Sequence, residues 1–125
     1  MPMKIRTVVF ALAAAVPLSL FAHHSAAAYN PKEVVTVTGT ATDFKFVNPH
    51  VLITIDVKDG SGAVTQWQGE LTSPNHLVRA GWTSHSIKPG DTVTLSGNRA
   101  QSGAPALRIS KTVVNGQELK TEMEK

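Results

Sequence analysis

The 125-residue sequence has no cysteine. Disulfide staples, thiol chemistry and thiolate metal ligands are therefore excluded, and the fold must rest on an apolar core. Aromatic residues are sparse: two Trp, one Tyr and four Phe. After Phe21 no stretch is apolar enough for a membrane helix, which needs ~20 such residues. The usual catalytic signatures are also missing. There is no Gly-x-Ser-x-Gly elbow and no phosphate-binding glycine loop. Asp56 and Asp59 fall near a hairpin, where Asp serves the turn. Ser73 before Pro74 reads as a helix cap rather than a nucleophile. Nothing in this inventory names a substrate, so the sequence does not argue for an enzyme.

The start of the chain is distinctive. Lys4 and Arg6 precede an apolar run from Val8 to Phe21, broken only by Pro17 and Ser19. Basic residues, a short apolar stretch and then small residues form the pattern of a secretory signal. The competing reading, an uncleaved anchor, asks a run of about 14 residues to do the work of ~20. A cut after Ala22 makes His23 the new N-terminus. Cuts after Ala27 or Ala28 also satisfy the small-x-small rule and discard His23 and His24. Export without a lipobox, which requires Cys, points to the periplasm of a Gram-negative bacterium or to secretion. Loss of residues 1–22 lowers Lys plus Arg from 12 to 10, against 9 Asp plus Glu, a net charge of +1. That balance gives no electrostatic case for nucleic-acid or anionic-membrane binding.

The remaining 103 residues suit one domain. Residues 23–32 read as an N-terminal arm, since Asn30-Pro31 discourages regular structure. Period-two patterning then predicts strands over 33–46, 51–57, 64–71, 91–99 and 106–114, with a short sixth at 117–119. In the first strand Val35, Val37 and Ala41 share one parity and a row of threonines the other, and Gly39 suggests a bulge or bend. Asp59-Gly60-Ser61-Gly62, Lys88-Pro89-Gly90-Asp91 and Asn115-Gly116 supply turns. Ser73-Pro74 opens a short helix that Gly81 stops. Three strands, a helix, then two or three strands predict an all-β fold, a small five-stranded OB-like Greek-key barrel with one short helix between strands 3 and 4. A small β-sandwich is the alternative. The barrel is expected over residues 33–119, with 120–125 as a charged tail that frays.

Histidine carries the functional signal. A free amine beside the His23 ring, with His24 next, is a compact nitrogen donor set suited to Cu(II), and also to Ni(II) or Zn(II). His50 is the third candidate ligand, because it lies on the parity opposite the Val51/Ile53/Ile55 stripe. Ten residues of arm span up to ~33 Å, enough to bring these groups together. Glu70, at a strand end, is a candidate to ligate metal or to cap the helix. His76 and His85 flank the helix and read as surface groups. Trp67 and Trp82 are candidate ligand-groove residues, with core packing as their ordinary role.

These features recur together. His23-His24-Ser25, Val37-Thr38-Gly39-Thr40, Val47-Asn48-Pro49-His50, Glu70-Leu71-Thr72-Ser73-Pro74-Asn75, Gly81-Trp82 and Lys88-Pro89-Gly90-Asp91 follow in order along the chain. In this it resembles an uncharacterised family of small exported proteobacterial proteins, a domain-of-unknown-function family. The resemblance implies one exported domain and favours the cut before His23. It implies no activity. Phe46 stands where such proteins often carry Trp, so the aromatic character is kept. Two functional expectations result. One is a periplasmic copper-handling or buffering protein that uses His23, His24 and His50, with zinc as the other metal. The other is a metal-free module holding a small ligand, a glycan or a protein partner.

Overall fold

The computed structural model describes residues 28–122. Residues 1–22, His23, His24 and most of the expected arm lie outside them, as does the tail from Met123. Six strands and one helix follow in the order β1 (Tyr29–Lys45), β2 (Leu52–Lys58), β3 (Val64–Glu70), α1 (Pro74–Arg79), β4 (Thr92–Ala100), β5 (Ala106–Val114) and β6 (Gln117–Leu119). The sheet order is β3-β2-β1-β4-β5-β6, and a parallel pairing of β3 with β5 closes it into a barrel. This is the OB-like architecture rather than an open sandwich, with β6 added beside β5.

The alternating residues build the interior. Val51, Ile53, Ile55, Val93, Leu95 and Leu107 are fully buried. Each such side chain contributes roughly 1.5–3 kcal/mol relative to its exposed state. The opposite parity of β1 and β4 carries hydroxyls that pair across the strands, Thr36 with Ser96 at 2.9 Å and Thr38 with Thr94 at 2.8 Å. α1 closes the barrel with Leu77, which is fully buried. Ser73 occupies the N-cap position but makes no side-chain cap bond. The helix ends in a Schellman motif: Gly81 N–H donates to Val78 O at 3.0 Å and Trp82 N–H to Leu77 O at 3.1 Å. Gly81 adopts the positive φ of 93° that this closure requires. Among the described residues no helix is long and apolar enough to cross a membrane.

Three boundaries differ from the sequence pattern. β1 starts at Tyr29, so residues 29–32 belong to a strand and not to an arm. Pro31 is tolerated because the β1–β4 register jumps from Tyr29↔Ala100 to Val34↔Asn98, leaving it in an irregular stretch. The bulge toward β2 falls between Ala41 and Asp43, not at Gly39. Gly39 marks a close approach instead, since a methyl group there collides with the Asp56 carbonyl oxygen. Finally, the chain after β6 is held rather than frayed at Lys120, whose carbonyl accepts the Trp82 indole N–H at 2.7 Å.

Candidate functional site

His50 sits just before β2, after the cis Asn48–Pro49 bond. Backbone bonds from Val51 N–H to Thr72 O (3.1 Å) and from Leu71 N–H to Val51 O (2.9 Å) extend the β2–β3 pairing beyond Leu52↔Glu70. This places the His50 ring beside the last residue of β3. His50 Nδ1 stands 2.6 Å from Glu70 Oε1. The other carboxylate oxygen, Oε2, accepts a hydrogen bond of 2.6 Å from the Tyr29 hydroxyl. Residues 41 and 20 positions away in sequence thus converge on one carboxylate.

Burial divides the three side chains. Glu70 is 2% exposed and Tyr29 5%, whereas the His50 side chain is 34% exposed. A separation of 2.6 Å between two electron-rich atoms requires one proton between the imidazole and the carboxylate. With that proton on Nδ1 of a neutral ring, the lone pair resides on Nε2. Desolvation, together with the adjacent Glu70 carboxylate, pushes the Tyr29 phenol well above the ordinary tyrosine range, with Arg108 acting weakly in the opposite sense. The phenol therefore remains a hydrogen-bond donor at neutral pH.

A shallow cleft of about 180 Å³ opens alongside, lined by Glu70, Thr72, His76, Arg108 and Glu122 among others. Arg108 faces Glu70 in the parallel β3–β5 register. His76 is an exposed residue of α1 bordering this cleft. His85 lies in the loop before β4, exposed, with its backbone N–H bonded to Thr83 Oγ1 at 3.1 Å. Among the described residues no three His, Asp or Glu side chains gather into a metal-holding cluster. His50 and Glu70 alone do not make a complete coordination sphere.

The tryptophans take other roles. Trp82 is 3% exposed, packs against Phe44 at 6.3 Å between ring centroids, and spends its one N–H on Lys120. It is a core residue rather than a groove residue, because its ring is buried in the core cluster and its polar handle is engaged. Trp67 is half-buried with the Arg99 guanidinium 5.4 Å above its ring. Arg99 also donates from Nη2 to Gly103 O at 2.8 Å, which holds the guanidinium in place, and Trp67 packs against the core cluster. Tyr29 was not selected by sequence reasoning, which placed it in the arm; its being the sole tyrosine of the chain was the available signal.

With the barrel and this corner in view, the relationships of the chain can be stated. It belongs to a family of unknown function, DUF6152, which it matches over residues 11–107. No curated protein matches the sequence. Among solved structures, it is similar to the mitochondrial single-stranded DNA binding protein Rim1 of S. cerevisiae, with a TM-score of 0.50 and 10% identity over 66% of this chain and 92% of that one. At that identity the likeness speaks to the OB-like fold alone. The ZRD-deleted mutant of TiaS in complex with agmatine gives a TM-score of 0.48 with 17% identity over 74% of this chain, which spans only 23% of that protein. A small single-stranded DNA-binding protein from Streptomyces coelicolor gives 0.44 with 10% identity over 66% of this chain and 90% of that one.

Proposed function

We propose that this is an exported metal-binding protein of the periplasm, handling or buffering copper through imidazole and N-terminal amine nitrogen. The observation that carries the reading is the His50–Glu70 contact of 2.6 Å. A metal-ligating histidine commonly donates its second ring nitrogen to a carboxylate, which fixes the tautomer and makes the other nitrogen a better ligand. Glu70 supplies that partner from a buried position, and Tyr29 holds Glu70 in turn. Imidazole donors without thiolate suit Cu(II), with Zn(II) next.

Tyr29 also supports the participation of His23 and His24. Its hydroxyl fastens the start of β1 to the carboxylate that orients His50. His23 lies only six positions before Tyr29, a reach of up to about 20 Å. In this reading cleavage after Ala22 frees the His23 amine, and the amine, its ring and the rings of His24 and His50 complete the donor set.

Cu(II) titration of the processed protein, followed by electron paramagnetic resonance, tests the proposal. Binding with a nitrogen-rich signal is expected, with at least a tenfold loss of affinity in His23→Ala and in His50→Ala. Unchanged Cu(II) binding in both variants would overturn the site. A chelator that leaves the melting temperature untouched, with no Cu(II) signal at all, would favour a metal-free binding module, because a ligand bound only to the native state must stabilise it.

A further inference from the structure

Among the described residues, half of one edge of β1 has no neighbouring strand. From Thr40 to Lys45 the strand pairs with β2, and from Val34 to Thr40 it pairs on its other side with β4. Beyond Thr40↔Asp56 the β2–β3 hairpin turns away from β1. It leaves an opening of about 360 Å³ lined by Thr38, Gly39, Asp56, Lys58 and Val64 among others. Among the described residues no strand pairs with the second edge of Val34–Thr38.

Exposed edges are usually guarded by charge, proline or a bulge. Here Val34-Val35-Thr36-Val37-Thr38 is uncharged and wholly β-branched, and Pro31 lies before it. Val34 is 68% exposed. Val35 and Val37 share the core-facing parity with Ala41, yet they remain only partly buried while Ala41 is 2% exposed. Their exposure is what an absent neighbouring strand leaves behind.

We propose that this edge pairs antiparallel with the same edge of a second copy, about a twofold axis through Thr36. The segment is complementary to itself in that register. Val35 meets the partner's Val37 on the core-facing side, and Thr36 meets the partner's Thr36 on the outer side. The two valine rows then bury one another, and the hydroxyl rows that include Ser96 and Thr94 join into one. Shifting the axis to fall between residues sets Thr36 against Val35 or Val37 and opposes side chains of different faces. Lys32 and Glu33 lie outside the central pairs. A seam of five residues per copy is short, so the dimer belongs with weak, concentration-dependent interfaces. This inference does not depend on the metal reading.

The absence of cysteine makes the test direct. Thr36→Cys places the only thiol on the axis, where facing Cβ atoms of a strand pair lie ~4.5–5.5 Å apart, close to disulfide range. Mild oxidation is expected to cross-link Thr36→Cys at least tenfold faster than Thr94→Cys, one strand away. Sedimentation is expected to show monomers at about 1 μM and dimers at about 500 μM. Thr36→Lys, which sets two ammonium groups face to face, should abolish the dimer while leaving the melting temperature close to that of the unaltered protein. Equal cross-linking at both positions, a monomer throughout the range, or a dimer insensitive to Thr36→Lys overturns the proposal. So does a monomer whose Val34–Thr38 amides are all protected from exchange, because another segment of the same chain then covers the edge.

Discussion

Two carboxylates each tie separate stretches of this chain together, and they do so under opposite conditions. Asp91 ends an exposed turn. It accepts the Lys88 backbone N–H at 2.8 Å and the Asn115 amide at 3.1 Å. Those donors hold its carboxyl below the usual aspartate range, with the Lys88 backbone bond the larger cause. Glu70 is buried and takes its partners from Tyr29 and His50. Asp91 joins two turns whose geometry Pro89-Gly90 and Asn115-Gly116 already favour. Glu70 orders a side chain that reaches solvent. The difference is one of reach: Asp91 fastens turns to each other, whereas Glu70 fastens a buried strand end to a half-exposed imidazole, the one the proposed function uses.

The largest effect should come from Glu70→Ala. It removes the buried acceptor of the Tyr29 hydroxyl and the partner of His50, a loss of about 3 kcal/mol by urea unfolding. Glu70→Gln keeps the shape and one acceptor, so it should cost less stability than Glu70→Ala while still weakening Cu(II) binding. If Glu70→Gln binds Cu(II) as tightly as the unaltered protein, the two carboxylates do not differ in the way described.

Tyr29→Phe comes next, at about 1.5–3 kcal/mol, the range for a hydrogen bond to a charged group. Its pH signature separates it from a packing defect. The folded pKa of Tyr29 is raised, so its contribution is fully present below the unfolded value near ~10 and is lost as pH rises above that. Unfolding free energies should fall in alkali for the unaltered protein and less steeply for Tyr29→Phe. Parallel curves would remove the phenol from the account.

Asp91→Asn should have the smallest effect and the reverse pH dependence. The depressed folded pKa gives stability that is present above the unfolded value and lost as pH falls through the folded one. The difference between Asp91→Asn and the unaltered protein should therefore appear at neutral pH and vanish in acid. A gap that widens in acid contradicts this assignment.

Most of the barrel was legible in the sequence because burial imposes a period of two. Val51, Ile53 and Ile55 announce β2, and the turns carry the Pro, Gly and Asn that their backbones demand. The start of β1 was not legible, since Asn30-Pro31 signals a break and only the jump in register toward β4 accommodates it. At the site, His50 stood out by residue type and parity. Glu70 was recognised as a candidate ligand, yet its role as the buried partner of His50 depends on backbone pairing past the end of β3. Tyr29 was invisible for the same reason, because its partner lies 41 residues away. Trp82 shows the converse, an aromatic whose surroundings are set by helix closure and a tail carbonyl that no local pattern reveals.

The barrel closes through a β3–β5 ladder of only three residue pairs, Gln68↔Ala106, Gly69↔Leu107 and Glu70↔Arg108. Glu70 belongs to that ladder, so the last stitch of the cylinder and the orientation of His50 share one residue. Under the proposed function, each parting of the seam would take the brace from the imidazole, so release of Cu(II) is expected to keep time with amide exchange along Gln68–Glu70.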